Sequence, residues 1–225
     1  MSFAFSDQQG LLSILLGDSN TGSDDAWPLA TRKKYLNRGE MQFCKDSKLV
    51  REYATGTISG TSITFPTDLL DIYVLVVGNY VVDKTREVSI KDYERYSTFT
   101  GLPPYYYISE ESGVRYIKFF GSTNGQTYKL WYFKKPSTEL SSDSDTSIIP
   151  EEFREAPVYY AAGQLMRQVG KNTIADGHLA LYAKFVRDAQ ELADNLYVNK
   201  DYANPDLNFV GTSETDVVGG GFDFA

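Results

Sequence analysis

The chain has 225 residues, 42% of them hydrophobic, and 30 acidic against 22 basic side chains give it a net charge of -8. That length supports a sizeable core in one elaborate domain or two small ones, and the negative balance argues against a general nucleic-acid binder that works by neutralising phosphates, though not against a protein that lets DNA pass without sticking. Cys44 stands alone, which excludes an intramolecular disulfide or a cysteine zinc site, and the N-terminal apolar run is far shorter than the roughly 20 residues of a membrane span, so a soluble, unprocessed protein made in a reducing cytoplasm is expected.

In chain order, Phe5 to Leu16 holds Leu11, Leu12, Ile14, Leu15 and Leu16 and is too apolar to stand alone as a solvated helix, so it is expected to dock on a neighbour. Gly17 to Asp25 is a polar connector. Asp24 or Asp25 can cap a helix whose first turn holds Pro28 and which runs to about Ser47. Leu29, Tyr35, Leu36 and Phe43 mark its buried face. Arg32, Lys33, Lys34 and Arg38 crowd its first half, either as a solvated face lying over its neighbours or as a contact for an acidic partner.

From Val50 the period drops from 3.6 to 2, because Ile58, Ile63 and Phe65 sit among Thr, Ser and Gly as in half-buried strands. Asp71 to Val77 and Tyr80 to Lys84 flank Gly78-Asn79, a two-residue loop suited to a primed hairpin turn. Ser89 and Asp92 can start a short helix from Ile90 to about Phe99, before Gly101-Leu102-Pro103-Pro104 returns the chain to extended structure. Tyr105 to Ile108, Val114 to Phe119 and Gln126 to Phe133 then read as an antiparallel meander, ended by Lys135-Pro136.

Ser137 to Ser147 contains Ser-Ser-Asp-Ser-Asp and little to bury, so it is expected to be a flexible acidic linker. From Pro150, Phe153, Ala156, Tyr159, Tyr160, Gly163 and Met166 recur at helical spacing. Within that pattern Pro157 removes a backbone bond and is expected to bend the first turns. Ile174, His178, Leu181, Phe185, Ala189, Leu192 and Leu196 repeat the spacing, with Tyr182, Val186 and Ala193 widening the stripe. Gly170 suits the left-handed residue that closes the first of these helices, and Asn172 or Thr173 can cap the second, so the pair is expected to pack antiparallel. The resulting fold class is α+β: an antiparallel helical bundle with an inserted antiparallel β-sandwich-like subdomain. Residues 1–50 and 148–198 form the helical subdomain, 51–136 the β-subdomain, 137–147 the linker, and 199–225 an extended C-terminal tail.

Catalytic motifs are scarce. His178 is the sole histidine and falls on an apolar helix face, where a packed or interfacial role outweighs a catalytic one. Asp143-Ser144-Asp145 lacks the glycine turn and distal glutamate of a calcium loop. Glu151 and Glu152 occupy a first helical turn, where negative charge offsets the dipole, and Gly219-Gly220-Gly221 lacks the flanking strand and helix of a phosphate cradle. No catalytic, cofactor or metal site is assigned. Tyr105, Tyr106, Tyr107, Tyr116, Tyr128 and Tyr132 all fall in strands, and because consecutive residues face opposite sides, some of these rings lie outside the subdomain's own core unless both faces are covered within the chain. The tail keeps Phe209, Val217, Val218, Phe222 and Phe224 beyond any core of its own, which suits insertion into apolar pockets on a partner or a neighbouring copy.

The order of these segments resembles the portal-to-tail adaptor proteins of tailed bacteriophages, also called head-tail connector or head-completion proteins. Four stretches carry the resemblance: ATRKKYLNRGEMQFCKDSKLVREY, SITFPTDLLDIYVLVVGNYVV, KDYERYSTFTGLPPYYYI and LWYFKKPSTELSSDSDTSIIPEEFREAPVYYAAGQLMRQVG. They are similar to the family's early helix and first strand, its proline turn and hairpin, its short helix with aromatic strand, and its strand, acidic linker and helix with a tyrosine pair. Pro157 departs from the pattern, which has an aliphatic residue there.

The resemblance implies a non-enzymatic virion protein, made in the host bacterial cytoplasm and placed at the head-tail interface, in a closed ring of commonly twelve copies. Its implied partners are the portal protein, tail or nozzle proteins, and DNA passing non-specifically through the lumen, with no membrane and no cofactor. The tail residues named above become the implied portal or neighbour contact, and the Arg32, Lys33, Lys34 and Arg38 run the possible acidic-partner contact. From a different class, the tyrosine-rich β-subdomain is open to reading as a carbohydrate-binding module, since aromatic rings stack on sugar faces.

Overall fold

In a computed structural model, the structure describes residues 3–17, 27–85, 105–119 and 123–201, with side chains as far as 196. The expected caps at Asp24 and Asp25, the short helix from Ile90 to Phe99 and the contact residues Phe209, Val217, Val218, Phe222 and Phe224 lie outside the described residues.

Helix α1 spans Phe5–Leu16 and α2 spans Leu29–Ser47; a 3-10 turn at Glu151–Phe153 precedes α3 at Ala156–Gln168, and α4 spans Asn172–Asp201. Pro28 stands at the N-cap of α2 rather than in its first turn. Helix α3 starts only at Ala156, so Pro157 sits in the first turn, where its missing N-H has no intrahelical acceptor and the expected bend has no cause. Gly170 closes α3 at φ +73°, with its N-H on the Arg167 carbonyl and that of Lys171 on the Met166 carbonyl, the paired bonds of a Schellman ending. The second helix then begins directly at Asn172, one residue before the second expected cap.

The pairing of Arg167 with Asp176, of Tyr160 with Tyr182 and of Tyr159 with Phe185 runs in opposite directions along the two chains, so α3 and α4 are antiparallel. Two close approaches set the helical layer. A Cβ on Gly39 of α2 would lie 2.6 Å from the Pro157 carbonyl oxygen, and one on Gly163 of α3 would lie 2.6 Å from Leu179 Cγ. Phe5, Leu12 and Leu16 of α1, Leu36 of α2, and Val158, Ala161, Ala162 and Leu165 of α3 form one apolar cluster. Phe43 and Cys44 join Ile149, Phe153, Tyr182, Ala189 and Ala193 in a second.

The strands are β1 Arg51–Thr57, β2 Ser62–Thr64, β3 Leu69–Val77, β4 Tyr80–Val81, β5 Asp83–Lys84, β6 Tyr105–Glu111, β7 Val114–Phe119 and β8 Thr127–Lys134. They form two four-stranded sheets, ordered β1-β8-β3-β4 and β2-β7-β6-β5. The first is antiparallel throughout; in the second, β5 and β6 run parallel. Leu75, Val77, Leu130 and Tyr132 of the first share one cluster with Ile63, Tyr106, Ile117 and Phe119 of the second.

The hairpin at Gly78-Asn79 forms, pairing Val77 with Tyr80, but Tyr80 to Lys84 is not one strand. Val82 is buried between the sheets, and the chain crosses there from the first sheet to the second. The expected meander is broken in the same way: β6 and β7 pair with each other, while β8 joins β1 and β3. Crossing lets the apolar sides of β7 and β8 meet across the shared core instead of lying side by side. The structure also binds the linker where the sequence leaves it slack. Asn37 brackets Leu140 through both backbone groups, Lys33 Nζ donates to the Ser141 carbonyl, and the Phe5 and Ser6 N-H groups donate to the carbonyls of Asp145 and Asp143.

Candidate functional site

The outer face of the first sheet gathers aromatic residues from three strands. Its register sets Arg51 beside Phe133 and Tyr53 beside Trp131, and strand alternation turns all four away from the core that holds Leu130 and Tyr132. A register irregularity between Ile72 and Val74 leaves Tyr73 as an extra residue in β3, and its ring meets Phe133 edge-on at 5.7 Å. Tyr53 and Trp131 lie 4.9 Å apart between ring centres. The Arg51 guanidinium sits 4.0 Å from the Tyr73 ring centre and 5.1 Å from that of Phe133, with Lys48 Nζ also 5.1 Å from Phe133 and 3.2 Å from Asp71. Tyr53 is 44% exposed and Tyr73 37%, so this face offers large rings and cations to solvent together.

Beside it, a cavity of about 290 Å³ opens between α4, the end of α2 and the first sheet, lined by Asp46, Lys48, Arg51, Phe133, Gln190 and Asp194 among others. Tyr182 donates to Asp46 Oδ2 at 2.8 Å, and burial together with that carboxylate holds its hydroxyl well above the ordinary phenol range. Gln190 Nε2 donates to the Asp46 carbonyl at 2.8 Å, tying α4 to the end of α2.

The basic run of α2 is divided by its own helical period. Arg32 is buried and reaches the Ser13 hydroxyl of α1; Lys33 is held by Ser141, lies 3.6 Å from Asp143 and stands over the Phe5 ring. Lys34 and Arg38, four residues apart, are exposed, Arg38 over the Tyr35 ring. The four do not form one surface. Leu29, expected on the buried face, is exposed, whereas Glu40 is fully buried. Burial raises the Glu40 carboxyl pKa against the opposing pull of the Ser147 hydroxyl and Arg154.

The strand tyrosines also divide. Tyr106 and Tyr132 are core, Tyr128 packs against it, Tyr107 and Tyr116 are half-buried, and Tyr105 is exposed. The rings of the outer face, Tyr53, Tyr73 and Trp131, are absent from the expected set. The alternation Arg51-x-Tyr53 and Trp131-x-Phe133 carried that signal, but it needed the β1-β8 register to be read. On α4 the buried side is Ala175, Tyr182, Ala189 and Ala193, while Ile174, Leu181 and Leu196 of the expected stripe face solvent. His178 is half-buried near the Tyr159 ring, and burial lowers its pKa. Asp143 and Asp145 are engaged in the linker, Asp145 accepting the Ser141 and Ser142 N-H groups; among the described residues no group of three acidic, His or Cys side chains could hold a metal. Among those residues, too, no helix is long and apolar enough to cross a membrane.

A family model described as SU10 adaptor protein matches residues 6–204. Among solved structures, the chain is similar to one from the "Neck of empty GTA particle computed with C6 symmetry", at 11% identity and a TM-score of 0.25, covering 68% of this chain and 74% of that one. No curated protein matches.

Proposed function

We propose a role from one premise, that this chain belongs to the SU10 adaptor protein family, whose model spans nearly its whole length. The role is that of a structural virion protein at the head-tail interface: one subunit of a closed adaptor ring, commonly of twelve copies, that connects the capsid portal to the tail and encloses part of the DNA channel. The family match carries this reading, and the exposed rings of the first sheet supply the kind of surface that lasting protein contacts need. The work is done by shape, through heterologous contacts that close by a fixed rotation, and no catalysis is assigned.

In this reading residues 1–50 and 148–198 act as an antiparallel helical subdomain and 51–136 as an inserted β-sandwich-like one. Residues 137–147 join the two, and 199–225 form the reaching tail. Phe209, Val217, Val218, Phe222 and Phe224 contact the portal or a neighbouring subunit, and Lys34 and Arg38 are the members of the basic run placed to meet an acidic partner. At -8 per chain, the charge facing the lumen repels DNA within the roughly 8 Å Debye length of physiological salt, so the genome slides without binding. A carbohydrate-binding module ranks second. Its support is the exposed Tyr53 and Tyr73, but Tyr53 packs on Trp131 with ring planes tilted by 40°, which is no flat platform for a sugar.

Negative-stain imaging of the purified chain, alone and mixed with its cognate portal, tests the proposal. Rings seated on the portal are expected; a single copy that never associates with portal or tail would end it.

A further inference from the structure

We propose that Glu40 is a protonation-controlled latch under the end of the linker: neutral, it leaves the Arg154 guanidinium on the Phe3 and Ile149 carbonyls, and ionised, it draws that guanidinium to itself and frees the segments to which those carbonyls belong. The inference stands apart from the adaptor reading, since it needs only the single chain.

Arg154 is the knot of this region. Its Nε donates to the Ile149 carbonyl at 2.9 Å and its Nη1 to the Phe3 carbonyl at 3.1 Å, while its own carbonyl accepts from Gln8 Nε2 of α1 at 2.9 Å. One residue thereby joins the N-terminal segment, α1, the end of the linker and the turn before α3. The Phe5 and Ser6 N-H groups, on the carbonyls of Asp145 and Asp143, and the Ile149 N-H, on the Ser147 hydroxyl, complete the join. None of these bonds belongs to a helix or sheet ladder, so the join rests on a few contacts and opens locally at low cost.

Glu40 is 1% exposed, and its Oε1 accepts no hydrogen bond among the described residues. A neutral carboxyl tolerates that position, whereas a carboxylate there lacks both water and a donor, and a nearby cation attracts it more strongly than in water. Arg154 is that cation, acting on Glu40 from the turn before α3 while its own N-H groups are engaged on two neutral carbonyls. Bonds to an ionised acceptor are roughly twice as strong as bonds to a neutral one, so once Glu40 is charged the carbonyls lose the guanidinium. The other groups around Glu40 supply no rival. Ser147 offers a hydroxyl from the linker; Cys44, one turn along α2, carries a thiol that burial and Glu40 push up to about 12; Arg32, two turns back, reaches Ser13; and α1 brings the uncharged Gln8.

Signs separate Glu40 from the titrating groups elsewhere. Burial raises its pKa, so the closed form is full below the ordinary carboxyl range and is lost as pH rises through the folded value. Asp145, held low by the Ser141 and Ser142 N-H groups, and His178, lowered by burial, both weaken the fold as pH falls instead.

Hydrogen exchange of the full chain, followed by mass spectrometry between about pH 5 and 8 and corrected for the intrinsic pH dependence of exchange, reads the latch. Protection of residues 3–8 and 141–149 is expected to fall about ten-fold as pH rises and to stay level in Glu40→Gln. In Ser147→Ala, which removes a group favouring the ionised form, the fall is expected at higher pH. No fall in the native chain overturns the inference, as does the same fall in Glu40→Gln. Should Glu40→Gln fail to fold, an unmoved midpoint in Ser147→Ala overturns it. An equal loss of protection along α4 also overturns it, assigning the change to unfolding of the whole molecule.

Discussion

Gly39 and Gly163 set how closely the helices approach, and the two differ in what stands opposite them. A methyl on Gly39 would meet the Pro157 carbonyl oxygen and Cα, backbone atoms that cannot swing aside, whereas one on Gly163 would meet the Leu179 side chain at 2.6 Å and the Ala175 carbonyl oxygen only at 3.2 Å. Gly39→Ala is therefore expected to cost about 1–3 kcal/mol and lower Tm by several degrees, with Gly163→Ala costing less. Gly177 on α4 meets nothing within 4 Å, so Gly177→Ala should stabilise by up to about 1 kcal/mol in the same melts. Glu40 gives the pH dependence its sign. Burial raises its carboxyl above the ordinary value of 4.5, so its contribution to stability is full below that value and is lost as pH rises through the folded pKa. Glu40→Gln should be more stable than the native protein at pH 7, with the gap closing below about pH 4.5 in denaturant titrations; a gap that does not vary with pH would contradict the assignment. Arg32 and Glu40 lie at helical spacing from Leu36 and Phe43 on the buried side of α2. Their charge argued for solvent, and only packing against α1, Ser147 and Arg154 reversed that.

At the scale of elements, the linker shows why composition misleads. A run of Ser and Asp has little to bury, yet its backbone can still be captured by side chains on other elements, here Asn37 and Lys33, while Gln9 donates to the Asp143 carboxylate. Asn37→Ala leaves the Leu140 N-H and carbonyl without that partner and should cost about 1–3 kcal/mol. Limited proteolysis should then cut between 137 and 147 faster than in the native chain; equal cutting rates would mean the strap holds nothing. Helix α4 shows a second kind of misreading. Its apolar residues cover more of its circumference than α2 and α3 can bury, so the period reveals a helix but not which flank is inside. The close fit at Gly163 chose Ala175 and Tyr182 over Ile174 and Leu181. That leaves Ile174, Leu181 and Leu196 as an apolar flank exposed on the surface.

For the whole molecule, assembly is expected to depend on salt through Lys34 and Arg38, the members of the basic run that α2 leaves outside. Lys34→Glu with Arg38→Glu should weaken binding to portal or neighbour more at low than at high ionic strength, measured by sedimentation across a salt series; equal loss at both would rule out an electrostatic contact. The sequence by itself determined the α+β class, the helices that flank the β region, the Gly78-Asn79 turn and the Gly170 corner, because periodicity and turn chemistry are local properties of a few consecutive residues. Only the tertiary structure decided that β8 leaves the sheet of β7, that Val82 carries the chain between sheets, and that Arg32 turns inward while Lys34 does not. Those choices are made by contacts between residues far apart in the chain, whose energies no local pattern contains.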